Sequence, residues 1–285
     1  MALTLPEGPA RAMLELPLQM MLGGSIALSS GYAHAEVRSC FARARELTQA
    51  AGDSVPLFSA IWGQWFFSCA TADCAGARAL SEQMLRLAAA TQDRDLLAAA
   101  HYALGVVSEL EGNHASVLEH SAEVIALFAE PDGHRGRLQR FMVDPVLSAR
   151  GQHARALAFL GQPARCQTEL AQLVAWTHRD DFDPRSRCDL VVAACVCQQL
   201  LGTVAAIPET AAYGVALGAK CGLVLELHCA NLLNRWALAV ITSPIRRRFR
   251  DGRPAAGARA AADRRVIAGH DDCVRTSING SPQPV

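Results

Sequence analysis

Apolar residues recur at the three- and four-residue steps of an α-helix through most of this chain. Two stripes of this kind are Val37, Phe41, Ala44 and Leu47, and Ala77, Leu80, Met84 and Leu87. Because an α-helix turns once in about 3.6 residues, each set lies on one helix face that can be buried. No segment shows the two-residue alternation that is typical of a β-strand. The pattern predicts an all-α fold.

The helices are predicted to come in pairs separated by glycine-marked turns. In the clearest pair, a first helix covers 96–110, a turn covers 111–113, and a second helix covers 114–128. Gly112 suits the end of the first helix because glycine readily adopts the left-handed backbone conformation found there. Turns of the same kind are predicted at 31–32, 71–73, 161–163 and 202–203.

The spacing of these turns indicates a repeat. From Gly112 to Gly161 and on to Gly202 the turns recur at intervals of roughly 40–50 residues, and Gly31 precedes Gly112 by about two such periods. A period of about 40 residues with two helices is typical of α-solenoids. We therefore expect a tetratricopeptide-like α-solenoid of antiparallel helix pairs over residues 1–242, with about five pairs and a final helix near 223–240.

Local signals support several helix boundaries. Asp73 and Asp93 are expected to cap the helices that follow them by accepting backbone N–H bonds. Pro163 is tolerated in a first helical turn. Asp144 and Pro145 predict a bend between the third and fourth helix pairs.

Composition and charge narrow the class of protein. Of the 285 residues, 51% are hydrophobic, and 27 basic groups balance 27 acidic groups, so extensive disorder is not expected. The balance is uneven, because residues 243–285 hold nine Arg and four Asp and leave residues 1–242 mildly acidic. An acidic body excludes the basic footprint of a nucleic-acid-binding domain there. The Arg/Ala/Gly-rich segment 243–285 has no amphipathic stripe and is predicted to be a disordered tail.

No targeting or membrane segment is predicted. Residues 1–11 lack the basic and apolar regions of a signal peptide. The longest uncharged apolar stretch, 16–30, is interrupted by Pro17, Gly23 and Gly24, and spanning a bilayer needs roughly 20 apolar residues. The ten cysteines are scattered through helical sequence. We interpret them as reduced, buried side chains of a cytoplasmic protein.

Five segments carry a family resemblance. They read GYAHAEVRSCFARARELTQAAGD (31–53), LFSAIWGQWFF (57–67), ARALSEQMLRLA (77–88), HYALGVVSELEGNHASVLEHSAEVIALF (101–128) and RFMVDPVLSARGQHARALAFLGQPA (140–164). In order and spacing they resemble the C-terminal tetratricopeptide-like region of bacterial STAND/AAA-type signalling ATPases, which are linked to an adenylate cyclase or a winged-helix transcriptional regulator. The resemblance covers roughly residues 10–240 and weakens after His178.

The resemblance implies a regulatory scaffold and not an enzyme. In such proteins the repeat array is expected to sense a protein partner, a neighbouring ATPase domain or a small effector, and to restrain the ATPase. The phosphate-binding motif GxxxxGK[ST] is absent, because the single lysine, Lys220, lacks the required flanking residues. The sequence contains neither the cyclase nor the DNA-binding portion. Loss of the last repeat would expose an apolar face and promote self-association at the C-terminal end.

Two interpretations of the sequence after about residue 242 remain open. The family continues with an amphipathic helix and Gly-Met-Thr-Thr-like sequence, whereas this chain reads GHDDCV at 269–274. A one-base shift turns His and Asp codons into Met, Thr or Ile codons. The segment is therefore either translated out of frame or a genuine basic tail for an acidic partner. The matching alternative functions are a truncated, pseudogene-like fragment and a nucleic-acid-associated regulator that acts through the tail.

No catalytic, cofactor-binding or metal-binding residues are predicted. The cysteines and histidines between 188 and 229 match no zinc-ligand spacing, so core packing is favoured over an enzyme that uses them. The histidines of the repeat helices are interpreted as packed side chains: His101, His114, His120 and His153. The acid clusters at 109–111 and 180–183 are interpreted as solvated caps, and Ser25 lacks the Gly-x-Ser-x-Gly elbow of hydrolases.

A partner groove is predicted on the face formed by the first helices of the pairs, where solenoids bind their partners. The candidate groove residues are Trp65, Tyr102, Arg150, Arg155 and Arg235. The alternative interpretation is that Trp62 and Trp65 only fill the space between neighbouring repeats. A membrane partner is not expected, and a nucleic-acid partner is disfavoured.

Overall fold

The computed structural model describes residues 8–51, 54–128 and 134–243, and within these ranges the protein consists of helices and turns without a β-strand. The helices are α1 (Pro9–Ser30), α2 (Ala35–Ala51), α3 (Ser54–Ala70), α4 (Cys74–Thr91), α5 (Arg94–Leu110), α6 (His114–Leu127), α7 (His134–Phe141), α8 (Pro145–Phe159), α9 (Pro163–Thr177), α10 (Pro184–Leu200), α11 (Ile207–Cys221) and α12 (Val224–Thr242). The all-α prediction is confirmed for this part of the chain. The tail predicted over 243–285, with both interpretations of it, lies outside the described residues apart from Ser243.

The chain divides into two compact units. Among the described residues, the first unit contains α1 to α6 together with residues 136–146, and the second contains residues 147–243. The domain predicted over residues 1–242 therefore covers both units.

In the first unit each helix from α1 to α6 packs against the next helix along the chain. Its core includes the buried side chains Phe58, Ile61, Trp62, Trp65, Met84, Leu96, Val107 and Phe141. Gly63 allows α2 to approach α3 closely, because a Cβ at this position would lie 2.2 Å from Phe41 Cδ1. Burial of each large apolar side chain stabilises the unit by roughly 1.5–3 kcal/mol.

The second unit has the same consecutive packing. Helices α9, α10, α11 and α12 pack in sequence, and α12 also packs against α10. A buried cluster joins α10, α11 and α12: Val191, Cys195, Val204, Ile207, Ala211, Leu233 and Ala237. Gly214 of α11 lies so close to α10 that a Cβ would be 2.8 Å from Val191 Cγ1.

Five helix ends share one turn geometry. The residue with positive φ is Ala72, Gly112, Gly161, Gly202 or Gly222. In each turn the next backbone N–H donates to the carbonyl oxygen five residues earlier, as in Asn113 to Ser108 at 2.8 Å and Thr203 to Gln198 at 2.9 Å. This is the Schellman arrangement, which satisfies carbonyl groups that a helix end would leave unpaired. The turns predicted at 71–73, 111–113, 161–163 and 202–203 are confirmed, and α1 ends at Gly31 as predicted.

The irregular repeat spacing has a structural cause. The turn at Ala72 precedes that at Gly112, and the turn at Gly161 precedes that at Gly202, by about 40 residues, the usual period of helix-pair repeats. The interval between Gly112 and Gly161 is longer and contains α7, a helix of 8 residues. The additional short helix accounts for the longer interval between these two turns.

Most of the predicted helix boundaries are confirmed. The pair predicted at 96–110 and 114–128 corresponds to α5 and α6, and the predicted final helix corresponds to α12. Asp73 accepts from the Gly76 N–H, and Asp93 accepts from the N–H groups of Asp95 and Leu96. Pro163 lies in the first turn of α9.

Helix α1 is continuous through the residues that interrupt its apolar stretch. Pro17, Gly23 and Gly24 do not interrupt the helix, which continues through them for 22 residues. A proline in a helix interior removes one backbone hydrogen bond and is unfavourable by itself. Packing on α2 opposes this cost: Ala27 is buried against Val37 and Phe41, and Gly23 approaches Phe41 closely.

Ala72 has φ 58°, in a position that glycine occupies in the other four turns. An L-residue with a Cβ pays about 1–2 kcal/mol in this backbone region. We expect Ala72→Gly to raise the free energy of unfolding by about 0.5–1 kcal/mol, and Gly112→Ala to lower it by a similar amount. Urea denaturation measures both changes, and a loss of stability in Ala72→Gly would contradict the assignment.

Candidate interaction site

Trp65 does not line a surface groove. Its side chain is 1% exposed and belongs to the core of the first unit. The Trp65 ring lies 4.9 Å from the Trp62 ring and 6.2 Å from the Tyr102 ring, measured between centroids. These contacts correct the groove prediction for Trp65, because a buried ring cannot meet a partner at the surface. Tyr102 is half-buried beside the same cluster.

The two tryptophans of this cluster differ in hydrogen bonding. The Trp62 Nε1–H donates to the carbonyl oxygen of Phe141 at 2.9 Å, which joins α3 to the end of α7. The buried Trp65 Nε1–H has no acceptor among the described residues. Trp62 therefore fixes the position of α7, whereas Trp65 contributes packing.

The three arginines of the predicted groove belong to the second unit. Arg150 and Arg155 are half-buried on α8, and Arg235 is exposed on α12. The Arg150 guanidinium lies 5.2 Å from the centroid of the Trp176 ring, a cation–π contact that holds this side chain against α9. Only Arg235 is presented openly at the surface.

Helix α1 carries the most extended exposed apolar face in the described part of the chain. Its exposed residues between 13 and 28 are Met13, Leu14, Pro17, Leu18, Met21, Leu22, Ser25 and Leu28. They lie within one half of the helix circumference, and all of them are uncharged. Met13 and Met21 are 78% and 70% exposed, which is unusual for long apolar side chains on one continuous face.

The charged side chains of α1 lie on its other face. Glu15, which is almost fully buried, accepts from Arg11 and Arg43 at 3.1 and 2.7 Å, and so links α1 to α2. The two guanidinium groups outweigh burial, and the hydrogen bond from Arg43 is the main reason why the pKa of Glu15 is lowered. By length and composition alone, the segment 11–30 of α1 would suffice to cross a membrane.

Helix α12 exposes a second apolar face in the other unit. Val224, Leu225, Leu232 and Leu238 are each 44–64% exposed. On a helical projection these residues surround Arg235 within an arc of about 140°. Arg235 and the exposed His228 thus lie near the centre of this face.

A buried ion pair precedes α8. Arg137 and Asp144 are each 1% exposed, and the Arg137 Nε–H donates to Asp144 Oδ1 at 2.8 Å. Asp144 Oδ1 also accepts from the Val146 N–H at 3.0 Å, so the same carboxylate caps α8. Arg140 pairs with Asp93 at 3.0 Å at the start of α5. The bend predicted at Asp144 and Pro145 is therefore held by charge as well as by proline.

Two groups of the second unit, His153 and Asp189, have strongly shifted pKa values. Burial, with the nearby charges of Arg165 and Arg150, lowers the pKa of His153 to about 4. Burial raises the pKa of Asp189 to about 7; Arg185 opposes this shift, and Glu226 and Asp183 add to it. Arg185 Nε lies 3.1 Å from Glu226 Oε1, which places this charge cluster between α10 and α12.

The cysteines and acidic residues considered from the sequence as possible ligands or catalytic groups make contacts within the fold. The described cysteines are free thiols, and Cys188, Cys195 and Cys197 are buried. Glu111 pairs with Arg78, and Asp183 caps α10 through the Ser186 N–H. Among the described residues no group of three or more Cys, His, Asp or Glu side chains is placed to hold a metal ion.

Comparison with known proteins gives no family assignment: no protein-family model matches the chain, and no curated protein matches it significantly.

The hydrogen bond of Trp62 can be separated from its packing by comparison with Trp65. Trp62→Phe removes the donor and leaves the buried Phe141 carbonyl unpaired, whereas Trp65→Phe removes a donor that has no acceptor among the described residues. We expect Trp62→Phe to lower the free energy of unfolding by about 1–2 kcal/mol more than Trp65→Phe does. Urea denaturation gives both values, and equal losses would show that the hydrogen bond is not important.

His153 makes the second unit sensitive to acid. The folded-state pKa of about 4 lies below the usual value near 6.5, so protonation favours the unfolded chain. The His153 contribution is complete above about pH 6.5 and is lost as the pH falls toward 4, by as much as about 3 kcal/mol.

We expect His153→Gln to flatten the decrease in stability between pH 6.5 and 4. The matched control is His228→Gln, which changes an exposed histidine on α12. Thermal unfolding over this pH range measures the effect. An unchanged pH profile in His153→Gln would contradict it.

Proposed function

We propose that this chain is a non-catalytic interaction scaffold built from tetratricopeptide-like helix pairs. It is the repeat portion of a bacterial signal-transduction ATPase or transcriptional regulator and acts in the cytoplasm. Its partner is another protein or a neighbouring ATPase domain, and a small effector can bind to the same surfaces. No cofactor is required for this role.

The recurring turn and the consecutive packing support the repeat part of the proposal. In both units the same Schellman turn joins the two helices of a pair, and the intervals from Ala72 to Gly112 and from Gly161 to Gly202 match the usual period of helix-pair repeats. Repeats of this kind bury one face of each helix on the next helix along the chain. The family resemblance rests on segments that form α2, α6 and α8 and parts of α3, α4, α5, α7 and α9.

The exposed face of α1 supports the interaction part, and it is the observation that carries the proposal. Met13, Leu14, Leu18, Met21 and Leu22 form an uncharged surface, while Glu15 of α1 pairs with Arg43 of α2 and with Arg11. Such a contiguous apolar patch is typical of protein–protein contact sites. A helix from a neighbouring ATPase domain that presents its own apolar stripe fits this surface.

The face of α12 supports self-association at the C-terminal end. Leu225, Leu232 and Leu238 surround Arg235 on this helix. In a repeat array the last helix exposes the face that a following repeat would cover. A second copy of the chain provides an equivalent apolar surface.

Binding to an ATPase domain tests the proposal. The probe is a purified nucleotide-binding domain of the proposed family, and its rate of ATP hydrolysis is measured during titration with this chain. We expect the rate to fall, and Leu18→Glu to weaken the effect by about tenfold, because a charge would be buried at the contact. The control Ser39→Glu adds the same charge at an exposed site on α2. An unchanged hydrolysis rate would argue against the proposed role.

Self-association is tested separately by sedimentation velocity. We expect the chain to form dimers reversibly, and Leu232→Glu to weaken the dimer by about tenfold, since it places a charge in the contact. Leu18→Glu serves as the control and leaves the dimer intact. A stable monomer at high concentration would count against this contact.

A further inference from the structure

Two histidines of the first unit meet across neighbouring helices. His101 lies on α5 and His120 lies on α6, and their Nδ1 atoms are 3.3 Å apart. The two rings are tilted by 47°, with centroids 5.5 Å apart, and both side chains are partly buried. The helices that hold them pack closely and are joined by the hydrogen bond from Ser108 to Ser116. Packing of α5 against α6 therefore fixes the positions of the two imidazoles.

The separation of the two nitrogens fits the geometry of tetrahedral zinc. Zinc binds imidazole nitrogen at about 2.0–2.1 Å, so two ligands of a tetrahedral site lie about 3.3–3.4 Å apart. Adjacent ligands in a square-planar copper site would lie closer, at about 2.9 Å. The observed 3.3 Å between the Nδ1 atoms matches the tetrahedral value.

The charges around the pair also suit a cation. Burial lowers the pKa of His101, while Glu123 opposes this shift. Burial and His101 lower the pKa of His120; Arg78 adds to the decrease, whereas Glu119 and Glu123 oppose it. Metals bind the neutral form of imidazole. Arg78, on α4, is the one cation among these neighbours, and Glu111 pairs with it.

We propose that His101 and His120 form a zinc site, with each imidazole binding through Nδ1 and water completing the tetrahedron. The described residues supply no third side chain to this site. Two imidazoles alone give moderate affinity, so the site is expected to fill at micromolar zinc and to remain open to a ligand from outside. This site does not depend on the proposed scaffold function.

Zinc titration of the full chain tests the site. Isothermal titration calorimetry with Zn²⁺ alone is expected to show one equivalent bound in the wild type. The variants His101→Gln and His120→Gln are each expected to weaken binding by more than tenfold, because each removes one of two protein ligands. The control His228→Gln removes an exposed histidine and leaves the titration unchanged. Equal zinc binding in all four proteins would overturn the proposal.

A second measurement identifies the ligand atoms without any substitution. Imidazole ¹⁵N spectra of the wild type are expected to shift at the Nδ1 atoms of His101 and His120 when one equivalent of Zn²⁺ is added. Co²⁺ in place of zinc is expected to give tetrahedral absorption bands without thiolate-to-cobalt charge transfer. Thiolate absorption would assign the metal to cysteines, and unshifted Nδ1 signals would leave only a histidine–histidine hydrogen bond. Either result overturns the proposal.

Discussion

The structure depends on burial of apolar stripes between consecutive helices, from α1 to α6 in the first unit and from α9 to α12 in the second. This contact needs a turn that reverses the chain in few residues, and the Schellman geometry at Gly112, Gly161 and Gly202 provides it. Consecutive burial has a consequence for the outermost described helices. Each of α1 and α12 has one face packed within its unit and another apolar face exposed to solvent. The proposed interactions follow from this property of repeats.

Contacts in the interior of the first unit hold α7, the helix that lies in the longest interval between successive turns. The inserted helix α7 is held by polar contacts as well as by apolar burial: Trp62 donates to the Phe141 carbonyl, and Arg137 pairs with Asp144. Breaking a buried ion pair by removing one partner is strongly destabilising, because the remaining charge stays buried. These contacts fix α7 at a defined position in the first unit.

Helix periodicity, turn glycines and capping aspartates were sufficient to predict the all-α class and the bounds of α5, α6 and α12. The continuity of α1 through Pro17 could not be predicted, because it depends on tertiary packing of α1 on α2, where Gly23 approaches Phe41. The burial of Trp65 could not be predicted either. Helical spacing indicates which residues share a face of a helix, but not which element covers that face. The His101–His120 pair depends on the register of α5 against α6, and residues 19 positions apart show no ligand motif.

The DNA upstream of this reading frame and across codon 240 tests the central claim most directly. If the proposed function is right, we expect a segment immediately upstream that encodes a nucleotide-binding ATPase with its phosphate-binding motif. The out-of-frame interpretation adds a shifted frame that continues an amphipathic helix after codon 240. An unrelated upstream gene, with a promoter directly before Met1, would contradict the assignment to a signalling ATPase.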